Sequence, residues 1–158
     1  MDACDELGLF VIVNTPGWQF WNDAPEFAQR VYSDIRNVVR RDRNHPSVWL
    51  WEPILNETWY PADFAKNTRD IVDAEYPYPY CYCGCDATAK GHEHFKILFT
   101  HPLSGGEGTE QMQPDITYFT REWGDNVDDW NSHNSPSRVS RAWGESPMLV
   151  QANHYASP

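Results

Sequence analysis

Two glutamates draw attention through what precedes them. Glu57 follows the apolar run Ser47-Val48-Trp49-Leu50-Trp51 and sits directly after Asn56; Glu122 follows the β-prone segment Ile116-Thr117-Tyr118-Phe119-Thr120. If both runs are strands of one parallel sheet, the two carboxyl groups fall at the same end of it. One can then protonate a leaving oxygen while the other attacks carbon or activates water, the division of labour that cleavage of an acetal demands. The chain carries 23 acidic residues, so pairing alone singles out no function. Glu145 is a rival to Glu122, but helix-like residues 137–142 precede it. Glu52, five residues before Glu57, reads as a structural carboxylate within its strand.

Other chemistry-bearing residues are weaker signals. Cys81, Cys83 and Cys85 alternate and would share one face of a strand, with His92 and His94 close behind. Their C-x-C spacing is not the C-x2-C knuckle of tetrahedral zinc, and three small apolar side chains on a buried face explain them as well. A metal-binding module centred there remains an alternative. His101 ends the run from Phe95 to Thr100 and could contact substrate or stabilise a loop. Trp18 and Trp59 lie just beyond two apolar runs and are candidate platforms for a sugar face, although amphipathic rings also pack under loops. Asn56-Glu57-Thr58 fits a glycosylation sequon, discounted because a glycan there would plug the cleft.

The elements that must position these groups follow from periodicity. Asp2 to Gly8 reads as the end of an amphipathic helix with a glycine C-cap. Leu9 to Val13 is a continuous apolar run of strand length, as expected of a strand covered on both faces, and leads into a loop, Asn14 to Asn22. Asp23 with Glu26 three residues later, and Pro25 between them, reads as a capping box. Phe27, Ala28, Val31, Ile35, Val38 and Val39 keep helical spacing, and Arg40, Arg41 and Arg43 suit the negative end of the helix dipole. Asn44-His45-Pro46 breaks that helix before the strand at Ser47 to Trp51. Phe64, Thr68, Ile71 and Val72 mark a further helix, and Tyr80–Cys85, Phe95–Thr100 and Ile116–Thr120 are three more strands.

Strands alternating with helices predict βαβ units and a parallel sheet. Five such strands match a partial (β/α)8 barrel, whose active site lies at the C-terminal rim of the strands. An open doubly wound sheet is the competing architecture, but no G-x-G-x-x-G turn follows any strand. The composition, 41% hydrophobic and 22% charged, is that of one globular unit. A formal charge of −11 disfavours nucleic acid as a partner, and no apolar stretch is long enough for a membrane span.

The segment Arg41-Asp42-Arg43-Asn44-His45-Pro46-Ser47-Val48-Trp49-Leu50-Trp51, ending at Asn56-Glu57, resembles the signature of family 2 glycoside hydrolases, which include β-galactosidases, β-mannosidases and β-glucuronidases. Asp2 to Pro16 resembles the helix and barrel strand 3 that precede it, and Tyr118-Phe119-Thr120-Arg121-Glu122-Trp123-Gly124 resembles the strand 7 segment of that family. The likeness implies strands 3 to 7 of a TIM barrel, with residues 1–158 a fragment of the catalytic domain. It implies Glu57 as the acid/base, Asn56 as a ligand of the sugar 2-hydroxyl and Glu122 as the nucleophile of a retaining, exo-type β-glycosidase.

The same likeness implies no cofactor, a β-linked oligosaccharide or glycoside as substrate, and the rest of the barrel with accessory β-sandwich domains as partners in a parent chain. The compartment would follow from that parent: periplasmic or secreted with a signal peptide, cytoplasmic without one. A catalytically inactive carbohydrate-binding relative is a further alternative.

Overall fold

The computed structural model describes residues 1–76, 83–100 and 113–120. Two compact units emerge, one formed by Met1–Phe99 with Pro114–Tyr118 and the other by Thr100–Gln113 with Phe119–Pro158. The account below concerns the first. Of the second, the hydroxyl oxygens of Thr100 and Thr120 lie 3.4 Å apart.

A short helix, α1 (Asp2–Leu7), ends at Gly8, whose left-handed φ of 69° lets Leu9 N–H turn back to the Cys4 carbonyl at 2.9 Å. The first strand, β1 (Val11–Asn14), starts two residues later than the apolar run suggests, and Leu9 and Phe10 are exposed. The glycine cap explains this: the chain must leave the helix before it can pair, and pairing begins at Val11, whose N–H bonds the Ser47 carbonyl at 2.8 Å. Val11 to Val13 are half-buried, so the expectation of full cover on both faces is not met.

Helix α2 (Pro25–Asp42) opens with proline at N1, where the missing N–H costs nothing. The expected capping box is off by one. Ala24 is the N-cap, Asn22 Oδ1 accepts its N–H at 2.8 Å, and Asp23 instead accepts from the Trp21 indole at 2.9 Å. Val31, Ile35 and Val39 are buried at the predicted spacing.

Strand β2 (Val48–Glu52) lies parallel to β1, with Ile12 opposite Leu50 and Asn14 opposite Glu52. Helix α3 (Phe64–Glu75) then buries Phe64, Ala65, Thr68 and Val72. Its packing against α2 is fixed at the edge by Glu75, which accepts from Arg40 Nε and Nη2 at 2.8 Å each and lies 3.4 Å from Arg36. That fork holds the Glu75 carboxyl below the usual carboxylate range, with Arg40 the larger cause.

Strand β3 (Gly84–Asp86) pairs in parallel with β4 (Ile97–Thr100), and β5 (Thr117–Thr120) follows β4 in the sheet order. A bridge between Trp51 and Cys83, also parallel, joins β2 to β3. Strands β1 to β2 and β2 to β3 are therefore two βαβ units, as the periodicity predicts. Between β3 and β4 the chain makes only a single turn of 3-10 helix, His92–His94, where strict alternation would place an α-helix. One core cluster unites Val31, Ile35 and Val39 with Phe64, Val72, Trp51, Cys85 and Leu98.

Candidate active site

Strand β2 decides where Glu57 goes. After Glu52 the buried residues Pro53, Ile54 and Leu55 carry the chain out of the sheet, and Asn56 still bridges Trp18 in parallel. Glu57 therefore stands beyond the C-terminal end of β2, exposed, as its position in the sequence predicts. Its backbone has φ 47°, and Gln19 across from it has φ 51°. Left-handed conformations at non-glycine residues carry strain, and here two of them meet at one contact.

That contact is made by Glu57 Oε2, which accepts from Trp18 Nε1 at 3.0 Å and from Gln19 Nε2 at 2.6 Å. The Gln19 backbone N–H also bonds the Asn56 carbonyl at 3.2 Å, and the Thr58 hydroxyl donates to that same carbonyl at 2.8 Å. Gly17 permits this approach. With φ 133°, it brings the loop so close to Leu55 that a Cβ there would lie 2.8 Å from Leu55 Cδ2. Trp18, expected as a sugar platform, is 61% exposed on this rim, but its indole N–H is committed to Glu57. The sequence does not single out Gln19; its one hint is a polar amide directly after a tryptophan in the loop beyond β1.

Beyond Glu57 lies a recess of about 390 Å³ lined by Glu57, Thr58, Trp59, Asp86, Thr88 and Lys90 among others. Trp59 is 89% exposed on it. The floor is Tyr60, buried, whose hydroxyl donates to the Lys90 carbonyl at 2.9 Å. Burial first, and then the neighbouring Cys85 and Asp86, push its phenol far above the ordinary value, so Tyr60 stays an O–H donor.

Glu52 behaves as a structural carboxylate: it is 1% exposed and accepts from Asn14 Nδ2 on β1. His101, Glu122 and the rival Glu145 lie outside the described residues, as does Cys81. Cys83 and Cys85 are buried in the core cluster. Among the described residues, the one group of three potential ligands that converges is Asp2, Asp5 and His45, so Cys83, Cys85, His92 and His94 form no such cluster. The His92 Nδ1 instead lies 3.0 Å from the Ala89 carbonyl. Asp5 serves the fold at the other end of β2, with Oδ2 2.6 Å from His45 Nδ1 and Oδ1 accepting the Ser47 N–H at 2.9 Å. Hydrogen bonds from Ser47 and then from His45 hold its carboxyl at about 2.

Parallel β/α units with a held carboxylate at a strand's C-terminal end are the class of rim that barrel enzymes use. Residues 1–80 match the family model described as glycosyl hydrolases family 2, TIM barrel domain, and the chain belongs to that family. A β-galactosidase of Thermoanaerobacter pseudethanolicus is 35% identical over 71 residues, 45% of this chain and 9% of that protein. A second, from Thermoanaerobacterium thermosulfurigenes, is 38% identical over 71 residues, 45% of this chain and 10% of that protein. The matched stretch thus spans about a tenth of the length of these relatives. No solved structure matches the chain.

Proposed function

We propose that this chain supplies the acid/base and the nucleophile of a retaining, exo-type β-glycosidase, β-galactosidase-like in its reaction, as part of a longer enzyme whose (β/α)8 barrel contains residues 1–158 as about strands 3 to 7. The observation that carries the reading is Glu57: within the family-matched stretch, beyond the C-terminal end of β2, with one carboxylate oxygen fixed by two N–H donors.

The geometry gives the acid a direction. Oε2 accepts from both Trp18 and Gln19, so the proton of the acid form belongs on Oε1, the oxygen that delivers it to the glycosidic oxygen. Glu122 attacks the anomeric carbon as that bond breaks, forming a glycosyl ester; this needs carboxyl groups about 5 Å apart. Glu57, now ionised, takes a proton from water, and the hydroxide released at the anomeric carbon displaces Glu122. Asn56 would bond the sugar 2-hydroxyl, and His101 would contact substrate near the nucleophile. Proton transfer and displacement complete the cycle without a metal or organic cofactor.

The test uses the full-length protein. Glu57→Ala should slow glycosides with poor leaving groups most, and azide should restore turnover of activated ones by replacing water at the anomeric carbon. A 2-fluoro glycoside should label Glu122. Equal losses on all substrates without azide rescue would refute the role of Glu57, and label on Glu145 would refute that of Glu122.

A further inference from the structure

We infer that the recess beyond Glu57 is a leaving-group subsite that takes a neutral pyranose, with Trp59 as its platform and Asp86 and Lys90 as its polar wall. The inference rests on the acid/base reading of Glu57 and adds to it where the departing sugar sits and what kind of sugar that is.

Position comes first. Most of the lining belongs to loop residues past the strand ends, Thr58 and Trp59 after β2 and Thr88 to Lys90 after β3, with Asp86 the last residue of β3. Glu57 itself lines the recess, so a ring held there has its leaving oxygen beside the proposed proton donor. Trp18 and Gln19, which hold Glu57 Oε2, are not among the residues that line the recess.

The wall is also pre-formed. Tyr60 holds the Lys90 carbonyl from below, Ala89 N–H bonds the Asp86 carbonyl at 3.0 Å, and Gly91 at φ 84° turns the chain so tightly against α3 that a Cβ would meet Ala65 Cβ at 2.5 Å. A volume of about 390 Å³ lies at the low end of ligand pockets, roughly 300–1,000 Å³, and suits one ring with its hydroxyls better than an extended chain. An indole with 89% of its surface in water is an apolar face that the fold itself does not use.

Charge selects among sugars. With Glu57 in its acid form, the charges on the recess are one carboxylate, Asp86, and one ammonium, Lys90, so a uronate or sulfated leaving group would meet no net positive charge and would place its own charge beside Asp86. Hydroxyls avoid that cost, because they donate to Asp86 and accept from Lys90 together.

The experiment compares, in the full-length protein, a glycosyl fluoride, which has no departing sugar, with a disaccharide of the same glycon and a neutral reducing-end hexose. Trp59→Ala should lower the ratio of disaccharide to fluoride kcat/KM about tenfold, the scale of losing one stacked ring face. It should lower the yield of transfer to an added hexose acceptor in parallel, and Trp59→Phe should restore most of both. An unchanged ratio, or a disaccharide ending in a uronic acid outperforming the neutral one, would overturn the subsite or its neutral class. Azide rescue of Glu57→Ala is read separately. Rescue with an unchanged Trp59→Ala ratio refutes the subsite alone, whereas a tenfold ratio change without rescue keeps the sugar platform and removes the acid from Glu57.

Discussion

Removing the two donors to Glu57 Oε2 should damage acid catalysis in proportion to how much the leaving group needs a proton. Trp18→Phe deletes the 3.0 Å indole bond and Gln19→Leu the 2.6 Å amide bond. Both side chains are exposed, so neither change empties the core. While Glu57 is protonated, each donor meets a neutral oxygen, worth about 0.5–1.5 kcal/mol; as the proton leaves, the same bond becomes charge-assisted and rises to about 1.5–3 kcal/mol. Only this increase of about 1 kcal/mol is felt in the transition state, and Glu57's exposure places it at the lower end. Each single variant should therefore lose about fivefold in kcat/KM on poor leaving groups. The double variant should lose about ten- to twentyfold, less than the product, because both bonds share one acceptor. The assay is a series of aryl glycosides of graded leaving-group acidity, with full-length wild type and variants compared on one plot. The slope against leaving-group pKa should steepen in the variants, and their losses should shrink as the leaving group improves. Losses of equal size across the series would mean that Trp18 and Gln19 act on sugar binding or on the fold, and the direction assigned to the proton would be wrong.

Two other outcomes test the scaffold. Gly91→Ala should destabilise the protein by about 1–3 kcal/mol in thermal melting, because the new Cβ meets Ala65 at 2.5 Å and the φ of 84° disfavours any side chain; Gly8→Ala, with open space around it, should cost only the left-handed penalty of about 1–2 kcal/mol. For Asp5, held at about 2 against an ordinary 3.8, the stabilisation is complete above the unfolded value and is lost as pH falls from about 4 through 2. The protection of the Ser47 amide, whose N–H bonds Asp5, should fall over that window relative to its intrinsic exchange rate, and in Asp5→Asn the acid-dependent step should vanish.

Which parts of this molecule the sequence discloses depends on whether the determining contact is local. Helices α2 and α3 are legible because Val31, Ile35, Val39 and Phe64, Thr68, Val72 repeat at helical spacing, and the pattern is the cause of their burial. The strand at Leu9 to Val13 is only half legible: apolar character marks it, but where pairing begins depends on Gly8 closing α1 and on Ser47 arriving from the far side of α2. The N-cap at Ala24 rather than Asp23 goes against propensity: the Asp23 carboxylate is taken by the Trp21 indole, and Asn22 Oδ1 accepts the Ala24 N–H instead. Glu57 is legible through its place after an apolar strand and a recognisable motif. Gln19 is not, because a left-handed φ at glutamine leaves no mark in a single sequence, and its partner is 38 residues away. Asp86 and Lys90 are hidden for a related reason: they reach Trp59 only because β3 docks beside β2 through Trp51 and Cys83. The position of Glu57 could thus be read along the chain, while Trp18 and Gln19, which bond it, and Asp86 and Lys90, which line the recess beside it, come from the ends of neighbouring strands and the loops that follow them. Specificity in such a rim is accordingly a property of which loops the parallel order places side by side, and it can change there while the strand that carries Glu57 stays the same.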